Sequence, residues 1–276
     1  MTSDFQRQYD QLLIKMRNMG DRVPMNHWQS QVVNEREGMK YSVELMHQVF
    51  RYLVPGTIEE LQFAVKPNLP WAEDHFLERI SGHPLNPPPS EQWWPFAQQG
   101  NREHKEGEKF SHTYPERIWP RMAGVEELKA GQSPFNRGIR YEYGDLVDVI
   151  NLIVKDPLTR QAYLPIWFPE DTGAREGQRV PCTLGYHFIM RGGNMDIVYH
   201  IRSCDLFRHF IDDVYMACRL LQWVVGSVRD RGISCRASSL VMNIASLHIF
   251  EGDEPMLKMR TDKLIQDEEE IYGAAV

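Results

Sequence analysis

The stretch Pro181-Cys182-Thr183-Leu184-Gly185-Tyr186-His187-Phe188-Ile189-Met190-Arg191-Gly192-Gly193-Asn194-Met195-Asp196-Ile197-Val198-Tyr199-His200-Ile201-Arg202-Ser203-Cys204-Asp205 decides the fold. Leu184 to Met190 reads as a strand and Arg191-Gly192-Gly193-Asn194 as a turn. Met195, Ile197, Tyr199 and Ile201 then alternate with Asp196, Val198 and His200, so the whole predicts a β-hairpin. Cys182 stands at its entrance and Arg202-Ser203-Cys204-Asp205 at its exit, 20 positions later. A thiol and a guanidinium thus meet at one end of two adjacent strands, where an arginine favours the thiolate and binds anions.

Outward from the hairpin, Phe210, Val214, Ala217, Cys218, Leu221, Val225 and Val228 recur at helical spacing and predict a long, mostly buried helix. Ser239 to Phe250 returns to strand character. Upstream, Phe5, Tyr9, Leu12, Leu13 and Met16 predict an amphipathic helix closed by Gly20, and Tyr41 to Leu53 a strand ending before Pro55-Gly56. Thr57 begins a helix with Glu59 and Glu60 in its first turn. His83 to Gly107 reads as a long loop around Trp93, Trp94 and Phe96, Tyr143 to Val154 as a helix, and Tyr163 to Phe168 as a short strand. With no repeat and no change of composition, residues 1–276 read as one α+β domain with a substantial sheet.

Composition bounds the partners. Thirty-one Lys and Arg against 38 Asp and Glu leave a net charge of −7, so no general basic field holds nucleic acid, and an anionic ligand must be met locally. The apolar runs are too short to span a membrane, and the polar start lacks a signal-peptide core, so the expectation is a cytoplasmic protein. The four cysteines, Cys182, Cys204, Cys218 and Cys235, show no C-x-x-C spacing, which argues against zinc and against a disulfide framework. No metal is expected.

Pro181-Cys182, the spacing to Arg202-Ser203-Cys204-Asp205, and Ser246-Leu247-His248-Ile249-Phe250 resemble the thymidylate synthase superfamily. The resemblance implies that family's α+β fold, a large mixed sheet packed by helices with one sheet face at a homodimer interface. It implies Cys182 as nucleophile, Arg202 and Ser203 at the nucleotide phosphate, Asp205 at the folate, and His248 near the sugar. More weakly, Arg36 resembles a mobile phosphate-binding arginine and Glu60 the catalytic glutamate, with Glu59 as the other alignment. Trp93 resembles a folate-site tryptophan, Arg160 the arginine donated across the dimer, and Val276 the closing tail. At the base-reading position, 11 residues after Arg202, the family's asparagine is replaced by Asp213. A carboxylate accepts from the exocyclic amine of cytosine, so the chain resembles the cytidylate hydroxymethylases of phages and nucleoside-antibiotic pathways. A phage origin would place it in host cytoplasm.

The implied reaction joins carbon 5 of CMP or dCMP to a one-carbon unit from 5,10-methylenetetrahydrofolate through a Cys182 adduct at carbon 6, with water capture giving the hydroxymethyl product. The alternatives are a methyltransferase on the same scaffold, a uridylate-acting hydroxymethylase or thymidylate synthase, and a non-catalytic nucleotide binder. Gln161, Phe250, Arg208 and His209 depart from the family pattern at the phosphate, sugar and folate. Each site residue also has a structural use. Arg202 suits an ion pair with Asp205, Asp213 and Glu60 suit helix first turns, Trp93 suits loop packing, and His248 suits an ordinary strand. His187 stands where the family usually has glutamine, and no function for it follows from the sequence.

Overall fold

A computed structural model describes residues 3–25, 27–28, 31–32, 39–95, 105–106, 108–120, 144–172 and 180–273. Its sheet is built from β1 (Asp21–Pro24), β2 (Tyr41–Leu53), β3 (Tyr163–Pro165), β4 (Thr183–Arg191), β5 (Asn194–Asp205) and β6 (Arg236–Phe250). The helices are α1 (Asp4–Met19), α2 (Ile58–Val65), α3 (Trp71–Ile80), α4 (Tyr114–Ile118), α5 (Leu146–Lys155), α6 (Pro169–Thr172), α7 (Phe210–Arg229) and α8 (Glu254–Gly273). The strands lie in the order β1-β2-β6-β5-β4-β3, antiparallel except for the β5/β6 pair. The parallel step needs a crossover, which α7 supplies. The chain is therefore of the α+β class, with a mixed sheet packed by helices.

The hairpin forms as its alternation predicts. Gly192 and Gly193, with φ of 55° and 75°, make the two-residue turn between the paired Arg191 and Asn194. Both central residues of such a turn need positive φ, which glycine adopts without a Cβ clash. The β2 strand has its expected bounds, whereas β6 starts three residues earlier than expected, at Arg236. The Tyr163 to Phe168 segment is strand only to Pro165. The helices α3, α4, α6 and α8 and the edge strand β1 have no counterpart in the sequence reading.

Alternation breaks at one place in three neighbouring strands. The inward residues step by three from Leu45 to Gln48 in β2, from Ile244 to Leu247 in β6 and from Ile201 to Cys204 in β5. These steps are aligned, since Ile244 pairs with both Gln48 and Ile201, and Leu247 with both Leu45 and Cys204. His47 takes up the distortion in β2 with a left-handed φ of 54°. Gln48, turned inward by the step, is held by Lys15 Nζ at 2.6 Å.

One face of the sheet is covered by α1 and α7, with α2, α3 and α5 against α7. Phe210, Val214, Tyr215, Cys218, Leu221, Val224 and Val228 are all buried there, each large apolar side chain contributing about 1.5 to 3 kcal/mol. The other face is open. On β2, Met46, Val49 and Leu53 are 49%, 56% and 74% exposed, beside the half-buried Val241 and Val198. No helix among the described residues is long and apolar enough to cross a membrane.

A buried ion pair ties α4 to the segment after β3. Arg117 donates to Asp171 in two bonds of 2.8 and 2.7 Å, and Asp171 also accepts from Phe168 N. Asp171→Ala would leave the guanidinium buried and unpaired, and should cost about 3 to 5 kcal/mol in urea unfolding. A loss under about 1 kcal/mol would show that Arg117 finds another partner or water.

Candidate active site

The site begins where the hairpin closes. Arg202 N donates to Cys182 O at 2.9 Å, and the Arg202 side chain turns back along β4, donating from Nε to Pro181 O at 3.0 Å and from Nη2 to Val180 O at 3.2 Å. Two of the guanidinium's five donors are used, which leaves three without a partner among the described residues. Arg202 is thus tethered beside Cys182, with Trp167 under its guanidinium at 5.6 Å. It makes no ion pair with Asp205. That carboxylate accepts from Phe207 N and Arg208 N, both at 2.9 Å, and from Arg208 Nη1 at 3.0 Å. Arg208 reaches on to Asp253, so Asp205 stands in a buried three-member ion network.

Cys182 is the least buried of the four thiols, and the other three are pushed upward in pKa by burial. For Cys204 the negative neighbours Asp213 and Asp205 add to that effect, which leaves it an inert thiol. Cys204 Sγ contacts Asp213 Oδ2 at 3.7 Å, so the residue beside Asp205 connects the hairpin end to the first turn of α7.

Asp213 is largely buried and does not behave as a solvated helix acid. Desolvation raises its pKa to about 7, opposed by the positive charge of Arg79 and reinforced by Asp212. Asp212 has the structural task, accepting from Asn68 N and Asn68 Nδ2 at 2.9 and 2.8 Å. Around Asp213, Thr183 Oγ1 donates to Tyr114 Oη at 3.2 Å and lies 2.9 Å from Tyr199 Oη. Burial pushes the Tyr114 hydroxyl up in pKa, with the negative charges of Cys182 and Asp213 adding to the rise and Arg79 opposing it. Cys182, Thr183, Cys204, Asp213, Tyr114, Tyr199 and Arg79 therefore form one cluster. The sequence reading missed Arg79, Tyr114 and Tyr199. The available signal was a charged residue on the inward stripe Trp71, Ala72, Phe76, Arg79 of α3.

The remaining expected residues separate. His248 pairs across the ladder with Asp205, and burial lowers its pKa despite the nearby carboxylates of Asp205 and Glu44. Its ring meets Phe250 edge-on, and Ser203 faces Ser246 in the same ladder. Arg160 is exposed at the edge of the open sheet face, its carbonyl accepting from His187 Nε2 at 2.9 Å. His187 thereby gains a structural role as an anchor for this segment.

Two of the expected residues have structural partners of their own. Glu60 is exposed and closes the capping box of α2, Thr57 N donating to Glu60 Oε2 and Glu60 N to Thr57 Oγ1. Gln222 Nε2 donates to Pro55 O and Thr57 O, which places this helix start nine residues down α7 from Asp213, roughly 13 Å away at the helical rise. Glu60 thus has a capping role in this structure, and two residues on, Gln62 Nε2 donates to Tyr215 Oη at 3.0 Å. Trp93 is 44% exposed and donates to Asp74, whereas the next residue, Trp94, turns inward to stack on His209 at 5.7 Å and to meet Trp71 at 6.3 Å. Arg36, Phe96 and Val276 lie outside the described residues. Among the described residues, no group of three His, Cys, Asp or Glu is placed to hold a metal.

The raised pKa of Asp213 makes a stability prediction. Between the ordinary carboxylate range and about 7, the folded protein holds a proton that the unfolded chain has released, so stability falls as pH rises through this window. In Asp213→Asn, urea unfolding should lose less stability between pH 5 and 8 than in the wild type, by about 1 kcal/mol or more. Equal slopes would mean that Asp213 titrates in the fold as it does in the open chain.

Compared with known proteins, the chain matches no protein-family model and no curated sequence, so the roles of these residues rest on their geometry and chemistry.

Proposed function

We propose that the protein transfers a one-carbon unit to carbon 5 of a cytidine monophosphate, CMP or dCMP, giving the 5-hydroxymethyl nucleotide. The observation that carries this reading is the hairpin end, where the Arg202 side chain is tethered beside the partly exposed Cys182 and Cys204 Sγ, two residues on from Arg202, contacts Asp213. On this reading Arg202 receives the phosphate with its three remaining donors. The Cys182 thiolate adds to carbon 6 of the ring, and the displaced π pair makes carbon 5 nucleophilic.

Asp213 supplies the base preference. Cytosine offers a donor at its amine and an acceptor at nitrogen 3, so a bidentate contact needs one proton shared between that nitrogen and the carboxyl. A carboxyl with a pKa of about 7 holds such a proton near neutral pH. Uracil presents an acceptor at oxygen 4 and a proton at nitrogen 3, so the protonated carboxyl accommodates either base, and the preference for cytosine comes from the ionised carboxylate, which opposes oxygen 4 and accepts from the cytosine amine.

The implied cofactor, 5,10-methylenetetrahydrofolate, would supply an electrophilic carbon at the oxidation level of formaldehyde. The donor set suits a flat heteroaromatic ring. Trp71 Nε1 is buried without a hydrogen-bond partner, next to the stacked Trp94 and His209. Those three residues, with Asp205 and Arg208 beyond them, would hold it. The resemblance gives Glu60 the handling of protons through water, and the charged group that α3 brings to the cluster is the cationic Arg79.

Incubation with each pyrimidine monophosphate and methylenetetrahydrofolate, followed by mass spectrometry, tests the reading. The expected product is hydroxymethylated cytidylate with release of tetrahydrofolate; a methylated nucleotide appearing in step with dihydrofolate would establish the methyltransferase instead. Cys182→Ser should abolish turnover and retain nucleotide binding, and Asp213→Asn should shift preference toward uridylate by roughly tenfold. Wild-type turnover in the serine variant would refute the covalent route.

The reading includes a homodimer across the open sheet face, with Arg160 reaching the phosphate site of the partner. Its support is the apolar exposure of that face and the position of Arg160 at its edge. Equal mixing of Arg160→Ala and Cys182→Ser chains should restore roughly a quarter of wild-type activity, because half the dimers are hybrids with one complete site each. No recovery after subunit exchange, or an active monomer, would remove Arg160 from the site.

A further inference from the structure

Arg79 is only 7% exposed, and its Nε–H has no hydrogen-bond partner among the described residues. Its guanidinium lies 4.2 Å above the ring of Tyr114, whose hydroxyl accepts from Thr183, the residue after Cys182. Its positive charge opposes the burial-driven rise in the pKa of Asp213. The backbone of α3 is anchored at this residue, Arg79 O accepting from Trp119 Nε1 at 2.9 Å. A guanidinium withdrawn from water with a donor unmet is costly, and the cost is recovered only when an acceptor arrives. None of the carboxylates on α3 serves. Glu73 is paired with Arg219 and Tyr215, Asp74 accepts from Trp93, and Glu78 is held by His75 and Ser90.

We propose that Arg79 is a base-binding residue whose Nε–H donates to the carbonyl oxygen at carbon 2 of the bound pyrimidine. Along its pairing edge cytosine presents an amine donor, then the acceptor nitrogen 3, then the acceptor oxygen 2. A carboxyl next to a guanidinium is the complement of that order, with Asp213 at the amine and nitrogen 3 and Arg79 at oxygen 2. The inference rests on the reading of this cluster as a pyrimidine nucleotide site, but not on the choice of cytosine, because uracil carries the same carbonyl.

Calorimetric titration of the full-length protein with cytidylate, 2-thiocytidylate and uridylate separates the two ideas. Sulfur is a weaker acceptor than oxygen, so the wild type should bind 2-thiocytidylate about tenfold more weakly than cytidylate. In Arg79→Met the two should bind within about twofold of each other, both more weakly than cytidylate binds the wild type. Should the methionine variant fail to fold, Arg79→Lys is titrated in the same way, since it keeps the charge and loses the fixed Nε–H. Discrimination that persists in the variant, or is absent from the wild type, overturns the Arg79 contact. A wild type that prefers uridylate while Arg79→Met erases the oxygen-to-sulfur difference overturns cytosine selection and leaves the contact standing. A wild type that binds no pyrimidine nucleotide overturns both.

Discussion

The aligned three-residue step in β2, β6 and β5 is the constraint on which the site depends. Strict alternation continued from Ile201 would send Cys204 to the open face and Ser203 into the core. The step instead leaves both Arg202 and Ser203 off the core face and returns Cys204 inward, where it touches Asp213. A distortion in one strand alone would break its register with both neighbours. Because the step falls at the same level in all three, the ladder resumes with Leu247 opposite Leu45 and Cys204. The hairpin end and the first turn of α7 are brought together by backbone geometry, and the side chains there inherit their positions.

The electrostatics follow from that closure. Asp213 and Arg79 are opposite charges largely withdrawn from water, yet neither is bonded to the other in a two-pronged pair of the Arg117–Asp171 kind. The latter pair satisfies itself and leaves nothing for a ligand. The former leaves a carboxyl poised to hold or release a proton and an N–H without an acceptor, which is an arrangement that folding alone does not reward. The unpartnered donor here is Arg79 Nε, whereas Asp213 already receives Cys204 Sγ.

How much of this was legible in the sequence depended on whether the signal was local. The hairpin announced itself through Gly192-Gly193 and the alternation around it, and α7 through its long apolar stripe. Strand β2 was framed by its composition and by Pro55-Gly56. The site residues contributed by that framework, Cys182, Arg202 and Asp213, were found together. What the sequence leaves open is less local. Glu60 carries two compatible readings, a capping-box acid and a catalytic acid, and the structure adds the hydrogen bonds of the first. Trp93 and Trp94 are adjacent, and one residue's turn of a 3₁₀ segment decides which indole faces inward. Helix α3 escaped because it follows Pro67-Asn68-Leu69-Pro70 and carries Glu, Asp, His and Arg between its apolar positions, which dilutes the periodicity.

That dilution has a physical cause of its own. A helix that only fills space can keep its inward stripe apolar, and α7 does so along most of its length. Helix α3 instead spends inward positions on Trp71, His75 and Arg79, one turn apart. Trp71 Nε1 and Arg79 Nε both remain without partners, while His75 is tied to Glu78 and Ser90 and kept neutral by burial and by the charge of Arg79. Polar groups at successive turns of one buried face weaken the pattern by which a helix is recognised, and they are also what a ligand-facing wall requires. The element hardest to read from periodicity is for that reason the one whose unmet donors bear most directly on what the site binds.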